Sequence, residues 1–190
     1  MRLPPLGADQ VMVGVALMVP PPLADRLCHL RRACPDQPPA TAPPHITVLP
    51  PTPVAEADLP ALASRLGAEA ASFERFRVRL RGAGNFQPVS PVVFARVDQG
   101  FERCQALAAR LRQAIGCPSG RFPYHPHVTV AQDAPEPSLR RAERAIGDLD
   151  AEFTVEAADF CQLSPDVVWQ TLRRLPLAPA PVGEPSKEPR

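Results

Sequence analysis

The sequence has no excess of charge of either sign. Its 21 lysines and arginines are balanced by 20 aspartates and glutamates. A protein that holds long duplex nucleic acid or an anionic membrane surface through its overall charge carries a clear positive excess. The balance therefore argues against duplex DNA and membranes as partners, and we expect any anionic ligand to be small or bound by a local group of residues.

Patterns typical of disulfide frameworks and of membrane-spanning segments are also missing. The odd number of five cysteines is widely spaced and contains no Cys-x-x-Cys pair, so we expect a protein of the reducing cytoplasm. The most apolar early run, Val11 to Val19, is too short to span a bilayer and is not followed by a signal-peptide cleavage pattern. The sequence also contains no glycine-rich phosphate loop.

Proline is abundant, with 27 residues that cluster at the ends of the chain and between apolar runs. There its missing N–H group costs little. We predict one domain over residues 11–177. The flanking segments, 1–10 and the proline-rich 178–190, contain little to bury, and we expect both to be mobile.

The apolar periodicities predict strands interleaved with helices. The strand that starts at His45 is predicted to end at Pro50-Pro51, because proline cannot continue a central ladder. Alternating apolar and arginine residues from Arg75 to Arg81 indicate a strand with one solvated face. Four helices and roughly seven strands, several in hairpin order, predict an α+β fold, and a doubly wound sheet is not expected.

A short motif occurs twice, as His45-Ile46-Thr47-Val48 and as His127-Val128-Thr129-Val130. Residues two apart on a strand share a face, so each copy places an imidazole beside a hydroxyl and turns the intervening residue into the core. The repeat indicates a duplicated half-domain whose two copies face each other across a cleft. Paired imidazoles are suited to phosphoryl transfer, since one accepts a proton while the other donates one.

The motifs and their surroundings resemble the two-histidine (2H) phosphoesterase superfamily, and in particular bacterial proteins of the 2′-5′ RNA ligase family. The resemblance rests on the two His-x-Thr-Val motifs, Pro44, the lead-in Phe122 to Pro126, and the segments Arg79 to Gly82 and Ser90 to Phe94. It extends from about Val11 to Leu177.

The resemblance implies a bilobal duplicated fold with two antiparallel-rich sheets, outer helices and a central cleft that carries both motifs. It further implies metal-independent hydrolysis of 2′,3′-cyclic phosphate or 2′-5′ phosphodiester bonds in nucleotides or short RNA, without a cofactor. His45 and His127 would act as general acid and base, and Thr47 and Thr129 would bind the phosphate. We expect a cytoplasmic monomer.

Three alternatives accompany this interpretation. The same pocket would serve an RNA 2′-5′ ligase, or a nucleotide- or RNA-binding module without turnover. A zinc site built from His45, His125 and His127 is the third, since His125 and His127 have the spacing of a chelating pair. We favour a structural or second-layer role for His125.

Several other residues are candidates for contact with a substrate. Tyr124 and Phe86 fall in loops predicted near the cleft, where either ring is able to stack on a nucleobase, although core packing or anchoring of a turn explains them equally well. We interpret the arginine stripe as a solvated strand face and not as a phosphate-binding surface. Phe153, Phe160 and Trp169 are assigned to the core.

Overall fold

The structure, a computed structural model, describes residues 5–32, 34, 36–37, 42–117, 122–164 and 168–179. This part of the chain folds into eight strands and four α-helices in mixed order, which confirms the predicted α+β class. The elements are β1 (Gln10–Met18), α1 (Leu23–Arg32), β2 (His45–Ala55), α2 (Leu59–Ala71), β3 (Phe76–Asn85), β4 (Val92–Gln99), α3 (Phe101–Ile115), β5 (His127–Gln132), α4 (Glu136–Ala145), β6 (Asp150–Val155), β7 (Ala157–Leu163) and β8 (Trp169–Pro176). None of the described helices has the length and apolar character needed to cross a membrane.

The strands form one curled sheet in the order β6-β3-β4-β5-β2-β1-β7-β8. Every neighbouring pair is antiparallel. The expectation of two sheets is corrected here, because β2 and β5 join the two four-stranded halves through the pair Ile46–Val128. Both side chains are fully buried. Their packing brings the two backbones into hydrogen-bonding range at this point, and the twist of the strands separates them beyond it.

The two halves exchange strands. The unit β1-α1-β2 is repeated as β4-α3-β5, which confirms the duplication inferred from the motifs. However, β3 follows the first unit in sequence and pairs with β4 of the second, whereas β7 follows the second unit and pairs with β1 of the first. Each half of the sheet is therefore completed by a strand from the other half of the sequence.

The prediction that β2 ends at Pro50-Pro51 is wrong. The strand continues to Ala55 and pairs with β1, for example Thr52 with Val13 and Pro53 with Met12. Its other neighbour, β5, pairs with it only at Ile46, so beyond this residue one side of β2 is an open edge. Proline is tolerated on such an edge because the missing N–H removes no ladder hydrogen bond.

The core lies between the sheet and the apolar faces of the helices. Leu27 of α1, Leu66 of α2, Leu111 of α3 and Leu139 of α4 are all buried within it. The predicted core residues Phe153 and Phe160 are buried as well. Ala178, the first residue of the predicted mobile tail, bonds to the backbones of Phe73 and Arg75, and residues 180–190 lie outside the described part of the chain.

Candidate active site

The two motifs lie where the halves of the sheet meet. In each motif, the residue between His and Thr and the residue after Thr are at most 1% exposed; they are Ile46, Val48, Val128 and Val130. The motif residues His45, Thr47, His127 and Thr129 alternate with them and are only half-buried. The alternation predicted from the sequence is thus present on both strands, and both imidazole–hydroxyl pairs lie on the face opposite the core.

The register between β2 and β5 relates the two motifs. The strands run antiparallel and Ile46 is paired with Val128. In an antiparallel pair the neighbours of paired residues lie crosswise opposite each other, which brings His45 level with Thr129, and Thr47 level with His127. The site is therefore a two-fold arrangement of four side chains around a single backbone contact.

Both imidazoles are oriented by the same hydrogen bond. Nδ1 of His45 lies 2.7 Å from the carbonyl oxygen of Pro43, and Nδ1 of His127 lies 2.7 Å from that of His125. A carbonyl oxygen only accepts, so Nδ1 carries the proton and donates it in each case. Nε2 is then the nitrogen available to a substrate, as an acceptor in the neutral ring and as a donor in the imidazolium.

Burial lowers the pKa of both histidines below the ordinary imidazole value. The hydrogen bonds to Pro43 and His125 oppose this effect in part. The pKa of His45 is lowered further by the positive charges of Arg31 and His127. The two imidazoles are thus close enough to interact electrostatically, and a proton on one disfavours a proton on the other.

The backbone carbonyl of each motif threonine is held by a side chain from outside its own strand. Arg31 of α1 donates from Nε (3.1 Å) and Nη2 (2.7 Å) to the carbonyl of Thr129. Its Nη1 donates to the carbonyl of Ala42 (2.9 Å), three residues before His45. The hydroxyl of Tyr124 donates to the carbonyl of Thr47 (2.9 Å). Arg31 and Tyr124 therefore fix the two motif strands. For Arg31, no sequence pattern predicted this role.

Aromatic rings line the surroundings of both histidines. The ring of Phe86 is 4.9 Å from His127 and perpendicular to it, and Phe94 is 5.1 Å away. On the other side, the indole of Trp169 is 5.2 Å from His45. The assignment of Trp169 to the core was wrong, because the first residue of β8 is only half-buried and lies beside the site. Nothing in its local sequence indicated this position, which depends on the pairing of β8 with β7.

The remaining candidates, Tyr124, Phe86 and His125, have different surroundings. Tyr124 packs on the helix side of the sheet with its hydroxyl on the Thr47 carbonyl, which favours the anchoring alternative over stacking in the cleft. Phe86 is beside His127 as anticipated. His125 is exposed, and the centre of its ring lies 5.5 to 5.6 Å from those of Phe86, Phe94 and Phe101.

The zinc alternative finds no supporting geometry. Among the described residues, no three His, Cys, Asp or Glu side chains come together in a way that would hold a metal ion. The rings of His125 and His127 are 6.4 Å apart, and Nδ1 of His127 is occupied by a carbonyl.

We predict that Gly14→Ala displaces Trp169 from His45. A Cβ atom on Gly14 would lie 2.6 Å from Cη2 and 2.7 Å from Cζ3 of the indole. Overpacking of this kind costs about 1–3 kcal/mol of the free energy of unfolding. Since Trp169 is the only tryptophan, its fluorescence emission reports the displacement directly, and urea unfolding measures the loss of stability.

The matched control is Gly67→Ala in α2, where the nearest atoms to an added Cβ are 3.9 Å away. It is expected to leave the emission unchanged and to stabilise the helix by about 0.5–1 kcal/mol. An emission maximum and an unfolding midpoint of Gly14→Ala equal to those of the unmodified protein would contradict the prediction.

Comparison with known proteins identifies relatives of this chain. A family model described as "2′-5′ RNA ligase superfamily" matches residues 19–166. A protein of Aeropyrum pernix named RNA 2′,3′-cyclic phosphodiesterase is 34% identical over 99 residues, which cover 47% of this chain and 56% of the relative. The aligned region thus spans about half of that relative's length.

Solved structures share the fold. Escherichia coli LigT in its apo form superposes with a TM-score of 0.69 at 22% identity, covering 90% of this chain and 99% of LigT. LigT complexed with 3′-AMP gives a TM-score of 0.67 at 22% identity, covering 89% of this chain and 99% of LigT. The family model covers most of the chain, both motif strands included, and the resemblance seen in the sequence is confirmed: this chain belongs to the 2′-5′ RNA ligase superfamily of two-histidine phosphoesterases.

Proposed function

We propose that this protein hydrolyses 2′,3′-cyclic phosphate or 2′-5′ phosphodiester bonds in nucleotides or short RNA, with His45 and His127 as general acid and base. The observation that carries the proposal is the two-fold presentation of Nε2 from His45 and His127, each beside a threonine and each oriented by a 2.7 Å hydrogen bond at Nδ1. The name of the Aeropyrum relative, RNA 2′,3′-cyclic phosphodiesterase, supports the choice of substrate class.

The reaction needs one neutral and one protonated imidazole. In the hydrolysis of a 2′,3′-cyclic phosphate, Nε2 of the neutral histidine accepts a proton from water as the water oxygen bonds to phosphorus. The bond from phosphorus to one ribose oxygen breaks, and the protonated histidine gives its Nε2 proton to that oxygen. The electrostatic coupling between the two rings favours the singly protonated state that this step requires.

The hydroxyls of Thr47 and Thr129 would donate to the non-bridging phosphate oxygens. Their crosswise positions opposite the histidines favour a phosphorus atom held between the two Nε2 atoms, in line for displacement. The donors to their carbonyls, Arg31 and Tyr124, keep these strands in place before substrate binds. Such preorganisation lowers the reorganisation needed in the transition state.

A surface observation favours hydrolysis over ligation of two RNA ends. A ligase needs a basic surface that holds two strands, and the arginine stripe along β3 was the candidate. Three of the four arginines of this stripe lie near carboxylates of β6 and the residue after it: Arg75 near Glu156, Arg77 near Glu152, and Arg79 near Asp150. Because these carboxylates balance most of its charge, the stripe fits the predicted solvated face.

The direct test is turnover of a panel of 2′,3′-cyclic nucleotides and 2′-5′ dinucleotides in the presence of EDTA. We expect hydrolysis of at least one class, unaffected by the chelator. Binding without turnover of either class would favour the binding module, and activity that returns only with added zinc would favour a metal enzyme.

The lowered pKa values predict an acidic pH optimum for the free enzyme. Both histidines have a pKa below the ordinary value, so the singly protonated pair is most populated below about pH 6.5. The profile of kcat/KM should be a bell whose alkaline limb lies below this value. Because a bound phosphate anion stabilises the imidazolium, the alkaline limb of kcat should lie at higher pH than that of kcat/KM.

The lowered pKa values of the two histidines also make the free energy of unfolding depend on pH. The unfolded chain binds protons at its histidines at higher pH than the folded protein, so the free energy of unfolding falls as the pH drops below about 6.5. Steady-state kinetics and urea unfolding across the range from pH 4 to 8 measure both effects. An alkaline limb of kcat/KM above that of kcat would contradict the assignment.

A further inference from the structure

A second concave site lies on the helix side of the sheet. It is a pocket of about 290 Å³, bounded by α3 and by Cys117 and Tyr124. Its lining includes Gln105, Ala108, Arg112, Gln113, Cys117 and Tyr124. The volume is at the lower end of the range of small-molecule sites.

This pocket is separated from the candidate active site by the strand β2. Leu107 and Leu111 of α3 are fully buried in the same core as Ile46 and Val48. These two β2 residues point away from the face that carries His45 and Thr47. The helix α3, and the pocket on it, therefore lie behind the motif strand.

Arg112 gives the pocket a positive charge, and no carboxylate among the described residues forms an ion pair with it. Its guanidinium lies 5.4 Å from the centre of the Tyr124 ring. Its Nε–H is buried without an acceptor, an exception among the buried side-chain groups of the described residues. A buried donor without a protein partner is rare in folded proteins and calls for an acceptor from outside the chain, such as a water molecule or a bound ligand.

Arg31, unlike Arg112, has its guanidinium fully engaged with backbone carbonyls. Arg31 belongs to α1, the counterpart of α3 in the repeated unit. Its guanidinium donates to two backbone carbonyls through three nitrogens. The carbonyl of the other motif threonine, Thr47, is bound by Tyr124 instead, and Arg112 of α3 is left in the pocket with its Nε unpaired among the described residues.

We propose that this pocket is a binding site for a small molecule with an oxyanion group, a phosphate or a carboxylate, which Arg112 binds. An oxyanion accepts the fork of donors that a guanidinium presents, and a rotation of the group within the pocket turns Nε–H towards the ligand. The side-chain amide of Gln113 supplies a further donor at the rim. The amide nitrogen of Gln105 donates one hydrogen to the Tyr124 carbonyl (3.3 Å) and has a second for a ligand.

The site is connected to the catalytic strand through Tyr124. The ring of this residue forms one wall of the pocket beneath Arg112, and its hydroxyl donates to the Thr47 carbonyl (2.9 Å). A ligand here contacts the side chain that positions Thr47. The binding claim itself does not depend on the proposed phosphoesterase activity.

The experiment is a titration followed by ¹⁵N NMR of the arginine Nε–H and glutamine side-chain amide groups. The full chain carries His45→Ala and His127→Ala, which removes both imidazoles from the cleft. Inorganic phosphate and acetate are added separately at constant ionic strength. We expect a saturable shift of the Arg112 Nε–H and Gln113 amide signals with at least one of them, and the responding anion identifies the ligand as phosphate- or carboxylate-bearing.

Three variants make the result decisive. Arg112→Met should abolish the shift of the Gln113 amide without lowering the melting temperature, since it removes an unsatisfied group. Arg112→Lys should retain a weaker shift. Arg110→Met, on the same helix but paired with Glu69 on the surface, should respond like the parent. No saturable shift, or a Gln113 shift that survives Arg112→Met, overturns the proposal.

Discussion

Replacing His45 or His127 with alanine is expected to lower kcat for a 2′,3′-cyclic nucleotide by about 10²- to 10⁴-fold, the usual contribution of a general acid or base. Each imidazole presents Nε2 from one half of the sheet. Among the described residues of β2 and β5, no other titratable side chain is present to replace it. The double variant should lose little more than the worse single variant, because groups that act as a unit are not additive.

The pH profiles of the two single variants assign the roles. The variant that lacks the general base should lose the acidic limb of kcat/KM, and the variant that lacks the general acid should lose the alkaline limb. His29→Ala is the matched control, since this histidine is exposed on α1 and should leave turnover unchanged. Full turnover in either His45→Ala or His127→Ala would refute the proposed mechanism.

Replacing Arg31 with methionine is expected to produce the second large effect, on stability and turnover together. The change removes three hydrogen bonds to the carbonyls of Thr129 and Ala42. A buried carbonyl that loses its donor costs about 1–3 kcal/mol of the free energy of unfolding. Because Thr129 and the segment before His45 lose their common support, we also expect kcat to fall more than KM rises.

The neighbouring Arg32→Met is the matched control for Arg31→Met. Arg32 lies on the same helix and is exposed, so its replacement removes the same charge without the same contacts. Urea unfolding gives the stability of both variants, and steady-state kinetics at saturating substrate gives kcat. If the two variants are equally stable and equally active, Arg31 does not position the site.

Removal of Arg31 also tests its effect on His45. The positive charge of Arg31 contributes to the lowered pKa of that imidazole. Arg31→Met should therefore raise the pKa of His45, which moves one limb of the kcat/KM profile to higher pH. Arg32→Met should leave the profile in place.

The two motif strands, β2 and β5, show which features could be predicted from the sequence and which could not. The His-x-Thr alternation predicted which side chains leave the core, and the burial of Ile46, Val48, Val128 and Val130 agrees with it. The prediction that proline ends the strand at Pro50-Pro51 was wrong, because the outcome depended on whether the neighbouring side of β2 was paired. A local pattern does not contain that information.

The residues that support the site were predicted poorly. Trp169 was assigned to the core, yet it is only half-buried and lies beside His45. For Tyr124, stacking in the cleft and anchoring of a turn were left open, and the structure favours anchoring, with its hydroxyl on the Thr47 carbonyl. Arg31 was one of several arginines on a helix, with no pattern to separate it from Arg32.

The sequence by itself determined the elements, their buried faces, the α+β class and the four side chains of the candidate site. These follow from periodicity and residue type, which act over a few positions along the chain. Only the tertiary structure decided that the halves join at Ile46–Val128 and that Arg31 reaches Thr129 across 98 positions and Tyr124 reaches Thr47 across 77. Such contacts depend on which strands pair, and pairing is set by the packing of the whole core, which no local segment specifies.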